Sequence, residues 1–354
     1  MQCCLLWITP TLCCGSLPHQ PVTPPDFFRQ PQLTCNIGVA DITPKDPVAL
    51  AGFAARRGLS TDIHCPLKTH CLVFQNEKDI VCIITNDMME LPISYSDSLR
   101  TEISKRELIP YNRIFIHNTH THSAPRVGGK PAEKGGPNHR FAHETFETIV
   151  SNAVHTIRDK KSFVPFSIEV GRGTCDINCN RREANGPCDH DIYAVRLLDK
   201  TGKTIAGLLN YSCHPVSLNY KNLLVSTDFP GIATEDLSAY WGTPVYYFSG
   251  AQGNTDPCGP LKNDTAYTRG RGHQLANAVK NIRFTRLKPE NILRVSNKEV
   301  QLPFRKPEIT EDIILAHVAE LKKQTGVSTT WPDDVERWKE ATLAKIANKE
   351  VKNY

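Results

Sequence analysis

The chain has 354 residues, 22% charged and 40% hydrophobic, with 42 basic against 37 acidic side chains and a formal net charge of +5. That balance excludes intrinsic disorder, a collagen-like repeat and an extended coiled coil as descriptions of the whole, and the absence of any basic run longer than two residues argues against a nucleic-acid partner. No stretch approaches the ~18 consecutive apolar residues of a membrane-spanning helix, and the length suits one large domain or two ordinary ones.

Thirteen cysteines are an odd number, so a complete disulfide framework would leave one thiol over. Cys3, Cys4, Cys13 and Cys14 crowd the start, beside the apolar run Leu5-Leu6-Trp7-Ile8. That run could be a degenerate signal segment, but no Lys or Arg precedes it and Pro10 interrupts it. A disordered leader fits equally well, and the compartment stays open. Residues 17–34, with Pro18, Pro21, Pro24, Pro25 and Pro31, read as an extended linker. The expected organisation is therefore a leader and linker over 1–34 and one large domain over 35–354.

From Cys35 onward, short apolar runs alternate with helical stretches. Residues 69–74 and 80–85 are rich in Val and Ile and read as strands buried on both faces. A helix is expected over 95–108, a strand at 114–116, a helix over 141–158 and a strand at 166–170. Residues 192–198 and 204–211 flank the turn Asp199-Lys200-Thr201-Gly202 as a hairpin. A strand at 245–248 ends in a glycine loop, residues 249–257. Thr310-Glu311-Asp312 opens a tail helix bearing Ile314, Val318 and Leu321, which Gly326 can end. Pro332-Asp333-Asp334 opens another that runs toward Lys349. No internal repeat is present. The expected fold is a mixed α/β (α+β) domain of layered sheets flanked by helices.

Four segments carry chemistry. Asn118-Thr119-His120-Thr121-His122-Ser123 follows a strand, and on an extended backbone His120 and His122 would project to one face. Neutral imidazole is a common zinc ligand, and one His can ligate while its neighbour moves a proton. A hydrogen-bonded polar strand end fits the same pattern. Ser212-Cys213-His214-Pro215 presents a third imidazole at a strand-to-loop junction, because Pro215 steers His214 away from helical geometry. The glycines of Ser249-Gly250-Ala251-Gln252-Gly253-Asn254-Thr255-Asp256 would let backbone amides approach an anion, or would simply make a tight turn. Asn180-Arg181-Arg182-Glu183 lies among Cys175, Cys179, Cys188 and His190. That spacing matches no common zinc finger and suits buried thiols or a disulfide better.

Taken in order, these segments resemble the N-terminal catalytic domain of the neutral, non-lysosomal ceramidase family. The matching stretches are residues 37–43, 63–67, 119–123, 180–181, 213–215, 226–228 with Gly231, and 253–257, spread over 35–300. The resemblance implies a zinc-dependent amidase that cleaves the N-acyl bond of ceramide, or of a related lipid-like N-acyl amide. Carried over by position, His120 and His214 hold Zn2+, while His122 assists proton transfer or stabilises the tetrahedral intermediate. Arg181 falls at an active-site arginine, and Gly253, Asn254, Thr255 and Asp256 form the substrate and oxyanion loop. Asp87 and Asp228 match family carboxylates of unassigned role. The resemblance further implies an extracellular or periplasmic location and peripheral membrane contact; the oligomeric state is left open. Two departures stand out. The family's remaining ligands, a glutamate and a tyrosine, fall in later segments, so the domain reads as incomplete at its C-terminal end. Sphingolipid-cleaving members also carry serine where Asp256 stands.

Two other readings compete: a barrel-type metal-dependent amidohydrolase, which also places H-x-H at a strand end, and a non-catalytic remnant of the ceramidase fold.

Overall fold

A computed structural model describes residues 32–259, 263–287, 293–298, 300, 309–323 and 332–348. Nearly all of the expected leader and linker, together with Gly326 and Lys349, lies outside the described residues.

Two five-stranded sheets form the centre. In the first, β1 (Thr34–Asp41), β2 (Lys68–Gln75), β3 (Ile80–Asn86) and β4 (Ile114–Asn118) run in the order β4-β3-β2-β1, with the two-residue strand Val164–Pro165 at the far edge. In the second, β5 (Ser167–Thr174), β6 (Asp191–Leu198), β7 (Thr204–Tyr211) and β8 (Val245–Ser249) run β8-β7-β6-β5, edged by Thr285–Arg286. The apolar runs expected at 69–74 and 80–85 become the antiparallel pair β2–β3. Its turn is closed by the Asn76 carboxamide, which accepts from the amides of Lys78 and Asp79.

Both faces of the first sheet are covered, as its unbroken hydrophobicity requires. Cys71, Val73, Cys82 and Ile84 face α1 (Ile93–Glu107) and α2 (His139–Arg158) through Leu99, Ile103, Ile149 and Ala153. Cys35 and Leu72 face the second sheet and pack with Leu197, Ala206 and Tyr246. The second sheet's outer face carries α3 (Asp228–Trp241) and α4 (Thr265–Lys280), which bury Phe229, Leu237, Leu275 and Val279 against Leu209, Tyr211 and Tyr247. The result is a helix–sheet–sheet–helix sandwich. Its open, stacked sheets rule out the barrel-type amidohydrolase.

Each sheet contains one parallel pair, β3–β4 across α1 and β7–β8 across α3. These crossovers send the carboxyl ends of β3, β4, β7 and β8 to connected loops at one end of the sandwich, where open α/β sheets generally place ligands. The tail helices α5 (Glu311–Lys323) and α6 (Pro332–Ala347) pack on each other through Ile314, Val318 and Val335. No helix among the described residues is long and apolar enough to cross a membrane.

Candidate active site

The loop after β4 and the loop after β7 bring three imidazoles together. Ring centroids lie 5.1 Å apart for His120 and His122, 4.8 Å for His120 and His214, and 5.0 Å for His122 and His214. Among the described residues this is the one cluster of three or more metal-ligating side chains, with one ligand atom per residue all within 4.8 Å of one another. The convergence does not come from strand alternation. β4 ends at Asn118, and His120 has a left-handed backbone (φ 67°), which turns its ring back toward His214. Turn geometry replaces the extended presentation that the H-x-H spacing suggests.

The loops are stitched to each other. The His122 amide donates to the Pro215 carbonyl (3.2 Å), the Thr121 hydroxyl to the Ser226 carbonyl (2.8 Å), and the Ser226 amide to the Ser123 carbonyl (2.9 Å). Arg56, buried, donates to the carbonyls of both Ala51 (2.6 Å) and His122 (2.7 Å). Gly52 (φ 100°) lies so close to His122 that a Cβ there would fall 2.4 Å from the ring, and Phe53 packs edge-on against the same imidazole at 5.0 Å. The sequence reading misses Gly52, Phe53 and Arg56. Their one visible signal is the small-residue run around Gly52, which by itself looks like an ordinary loop.

Donor chemistry fits a cation. His120 Nδ1 bonds the Met89 carbonyl (2.9 Å) and His214 Nδ1 the Gln252 carbonyl (3.2 Å). Carbonyl oxygens only accept, so both Nδ1 atoms carry a hydrogen, and in the neutral rings both Nε2 atoms present lone pairs. Those Nε2 atoms sit 3.1 Å apart. Two lone pairs repel at that distance, whereas two nitrogens ~2.0–2.1 Å from one tetrahedral ion lie about 3.3 Å apart. His122 adds two buried ring nitrogens with no hydrogen-bond partner. Burial keeps His122 and His214 uncharged and ready to ligate. It pushes His122 down to about 3, helped by His214, His120, Arg56 and Arg181. It pushes His214 down to about 4, helped by His120 and opposed by the bond to Gln252.

Arg181 and Asp256 border the cluster. The short strands Asn178–Asn180 and Thr255–Pro257 pair antiparallel and are joined by a Cys179–Cys258 disulfide. Arg181 Nη1 lies 3.6 Å from Asp256 Oδ1, which lies 3.9 Å from His214 Nδ1. Burial raises the Asp256 carboxyl above the usual range, against the opposing charge of Arg181. Within the loop, the Gly253 carbonyl accepts from Arg181 Nε (3.1 Å), the Asn254 carbonyl from the Arg181 amide (2.8 Å), and the Thr255 carbonyl from the His214 amide (3.0 Å). Gly250 is required by packing, since a Cβ there would meet Ser212 Oγ at 2.2 Å. Cys175 and Cys188 remain thiols, and His190 bonds the Asn178 carboxamide, so Cys175, Cys179, Cys188 and His190 form no metal site.

The other two carboxylates stand outside the imidazole cluster and bond the backbone around it. Asp228 is buried at the start of α3 (φ 56°) and accepts from the amides of Leu218 (3.2 Å) and Phe229 (2.7 Å), tying the loop after His214 to that helix. Asp87, also buried, accepts from the Lys68 amide (2.9 Å) just past β3.

The fold and site define a layered α/β protein whose strand ends carry a candidate metal centre. Residues 34–241 match the family described as neutral/alkaline non-lysosomal ceramidase, N-terminal, and the chain belongs to that family. It is 26% identical over 218 residues to neutral ceramidase A of Dictyostelium discoideum, covering 56% of this chain and 30% of that protein. Its fold matches neutral ceramidase from Pseudomonas aeruginosa (TM-score 0.59, 19% identity) over 72% of this chain and 45% of that one. A structure of ceramidase complexed with C2 matches similarly (TM-score 0.60, 18% identity), over 72% of this chain and 44% of that one. The chain thus spans less than half the length of these relatives.

Proposed function

We propose that the chain carries the metal-binding half of an amide hydrolase acting on a lipid-like N-acyl amide, with ceramide or a close analogue as the substrate class. The observation that carries this reading is the pair of Nε2 lone pairs facing each other 3.1 Å apart, with the unbonded His122 ring beside them. His120 and His214 would hold the ion and His122 would stay free for proton transfer. A bound Zn2+ supplies a Lewis acid for the substrate carbonyl and a hydroxide equivalent near neutral pH.

The remaining steps belong to side chains. His122, held neutral by burial, accepts the proton of the attacking water, and negative charge growing on the carbonyl oxygen favours the imidazolium it becomes. It then returns that proton to the departing amine. Arg181 offers a guanidinium to the same oxyanion, a contribution whose loss typically costs 10²–10³-fold in turnover. Asp256 orients Arg181 and replaces a neutral hydroxyl with an acceptor-only group. Substrates that present a hydroxyl donor there gain, and those that present a carboxylate lose. The Cys179–Cys258 bond supports an extracellular or otherwise oxidising compartment.

The test is metal content by mass spectrometry together with hydrolysis of ceramide and simpler N-acyl amides by the full chain. About one zinc per chain is expected, with hydrolysis lost on chelation and restored by zinc. Hydrolysis indifferent to chelation, or a chain that takes up no metal, would overturn the proposal.

A further inference from the structure

Arg181 and Asp256 sit on a short two-stranded ladder, whose buried Asn178 and Thr255 side chains also bond the Ser212 carbonyl. Asn178–Asn180 and Thr255–Pro257 are three residues each, with Cys179 opposite Asp256 and Asn180 opposite Thr255. A ladder that short is marginal by itself in water. Its covalent fastening is the Cys179–Cys258 disulfide, which joins segments 79 residues apart. The anchors of Arg181 on Gly253 and Asn254 lie within five residues of that bond, as does Thr255, which accepts from the His214 amide. Cys179 is exposed and Cys258 half-buried, whereas six of the seven thiols among the described residues are buried. The bond is therefore open to a solvent reductant, and the buried thiols are shielded from exchange with it.

We propose that the Cys179–Cys258 disulfide is a redox-cleavable clamp that positions Arg181 and Asp256 beside His214. In the cleaving reaction a dithiol reductant delivers two electrons and two protons. The Sγ–Sγ bond breaks, each cysteine leaves as a thiol, and the dithiol closes to its own disulfide. The opened ladder releases the backbone that carries Arg181. His120 and His214 keep their carbonyl partners at Met89 and Gln252, so the imidazole cluster persists while its charged border loosens. Cys179 and Cys258 are thus positioning residues acting through Arg181.

The test compares the full chain with a C179S/C258S double variant, without reductant, by amide hydrogen exchange and by kinetics. The kinetic arm rests on the amide-hydrolase reading; the exchange arm does not. Exchange at the Arg181 amide should speed at least about tenfold, with the β3 and β7 amides unchanged and metal content equal to wild type. Turnover should fall about tenfold with little change in KM, within the 10–100-fold range typical of supporting residues around a site. Arg181→Ala should then cost less in the double variant than in wild type, because both changes remove one function. Should the serine pair fold poorly, treating wild type with a dithiol and reoxidising it should raise and then restore Arg181 exchange. Unchanged exchange at Arg181 overturns the clamp whatever the activity. Faster exchange across both sheets also overturns it, since the bond would then be a general staple. An inactive wild type refutes the hydrolase reading and leaves the exchange result to decide the clamp.

Discussion

The two halves of the candidate site are built differently. The three imidazoles hang from loops that follow a five-residue strand of one sheet and an eight-residue strand of the other, and two of the rings are fixed by backbone carbonyls. The charged pair rests on two three-residue strands, with 35% of the Arg181 side chain and 20% of Asp256 exposed. Ligand geometry that must hold to a fraction of an ångström belongs on rigid elements, while a group that reads a variable substrate tolerates a looser mount. Mutation should separate the two. His120→Ala should abolish metal retention and lower turnover at least about a thousandfold, because one imidazole cannot keep the ion. Arg181→Ala should leave metal content at the wild-type value and lower turnover about 10²–10³-fold. Metal analysis beside kinetics checks both, and metal loss in Arg181→Ala would erase the distinction.

A gentler probe of the rigid half is Gly52→Ala. The added methyl would lie 2.4 Å from the His122 ring, on a backbone at φ 100° that side chains rarely adopt. Displacing His122 should reduce turnover while His120 and His214 still hold metal, and the strain should cost about 1–3 kcal/mol of stability. Urea unfolding and metal analysis of the variant test this. If metal is lost along with turnover, His122 is a third ligand and not the proton carrier.

What the sequence displays and what it hides divide along a similar line. Strands β2 and β3 and the β6–β7 hairpin are legible because β-branched runs and a polar Gly turn are local signals. Helices α3 and α4 are not. Pro230 and Gly231 stand in the first turn of α3, and Gly270 and Gly272 interrupt α4, where each looks like a breaker. Gly272 is there for contact: a Cβ would meet Ile232 at 2.6 Å, so the two helices pack closer than any larger residue allows. In the site, His120, His122 and His214 are visible as residue types. Their meeting, the left-handed turn at His120 and the partnership of Cys179 with Cys258 are long-range facts without a local pattern. Asp87 and Asp228 stand out only by resemblance, and their hydrogen bonds place them under the loops that carry the imidazoles.

The frame beneath the imidazoles should also respond to pH, because burial is what perturbs a titration. His70 and Asp87 line one cavity of about 220 Å³ between the start of β2 and α3, together with Lys68, Cys65 and Glu235. Burial, reinforced by Lys68, pushes His70 from 6.5 down to about 4. Burial pushes Asp87 from 3.8 up to about 7, against the Lys68 amide and charge and the Thr119 hydroxyl. The signs are opposite. Between pH 4 and 6.5 the unfolded chain protonates His70 and the folded chain does not, so this term raises stability as pH rises. Between pH 3.8 and 7 the folded chain keeps the Asp87 proton that the unfolded chain has released, so this term lowers stability as pH rises. His117, also pushed down to about 4 by burial and then His120, acts in the same sense as His70. The balance therefore tilts toward greater stability near pH 6.5 than near pH 4.5. Asp87→Asn should steepen that rise and His70→Gln should flatten it, each by about 1–2 kcal/mol across the interval, after discounting for residual solvation. Urea unfolding at the two pH values measures the slopes, and equal slopes in wild type and Asp87→Asn would show that Asp87 gives up its proton in the folded frame as readily as in water.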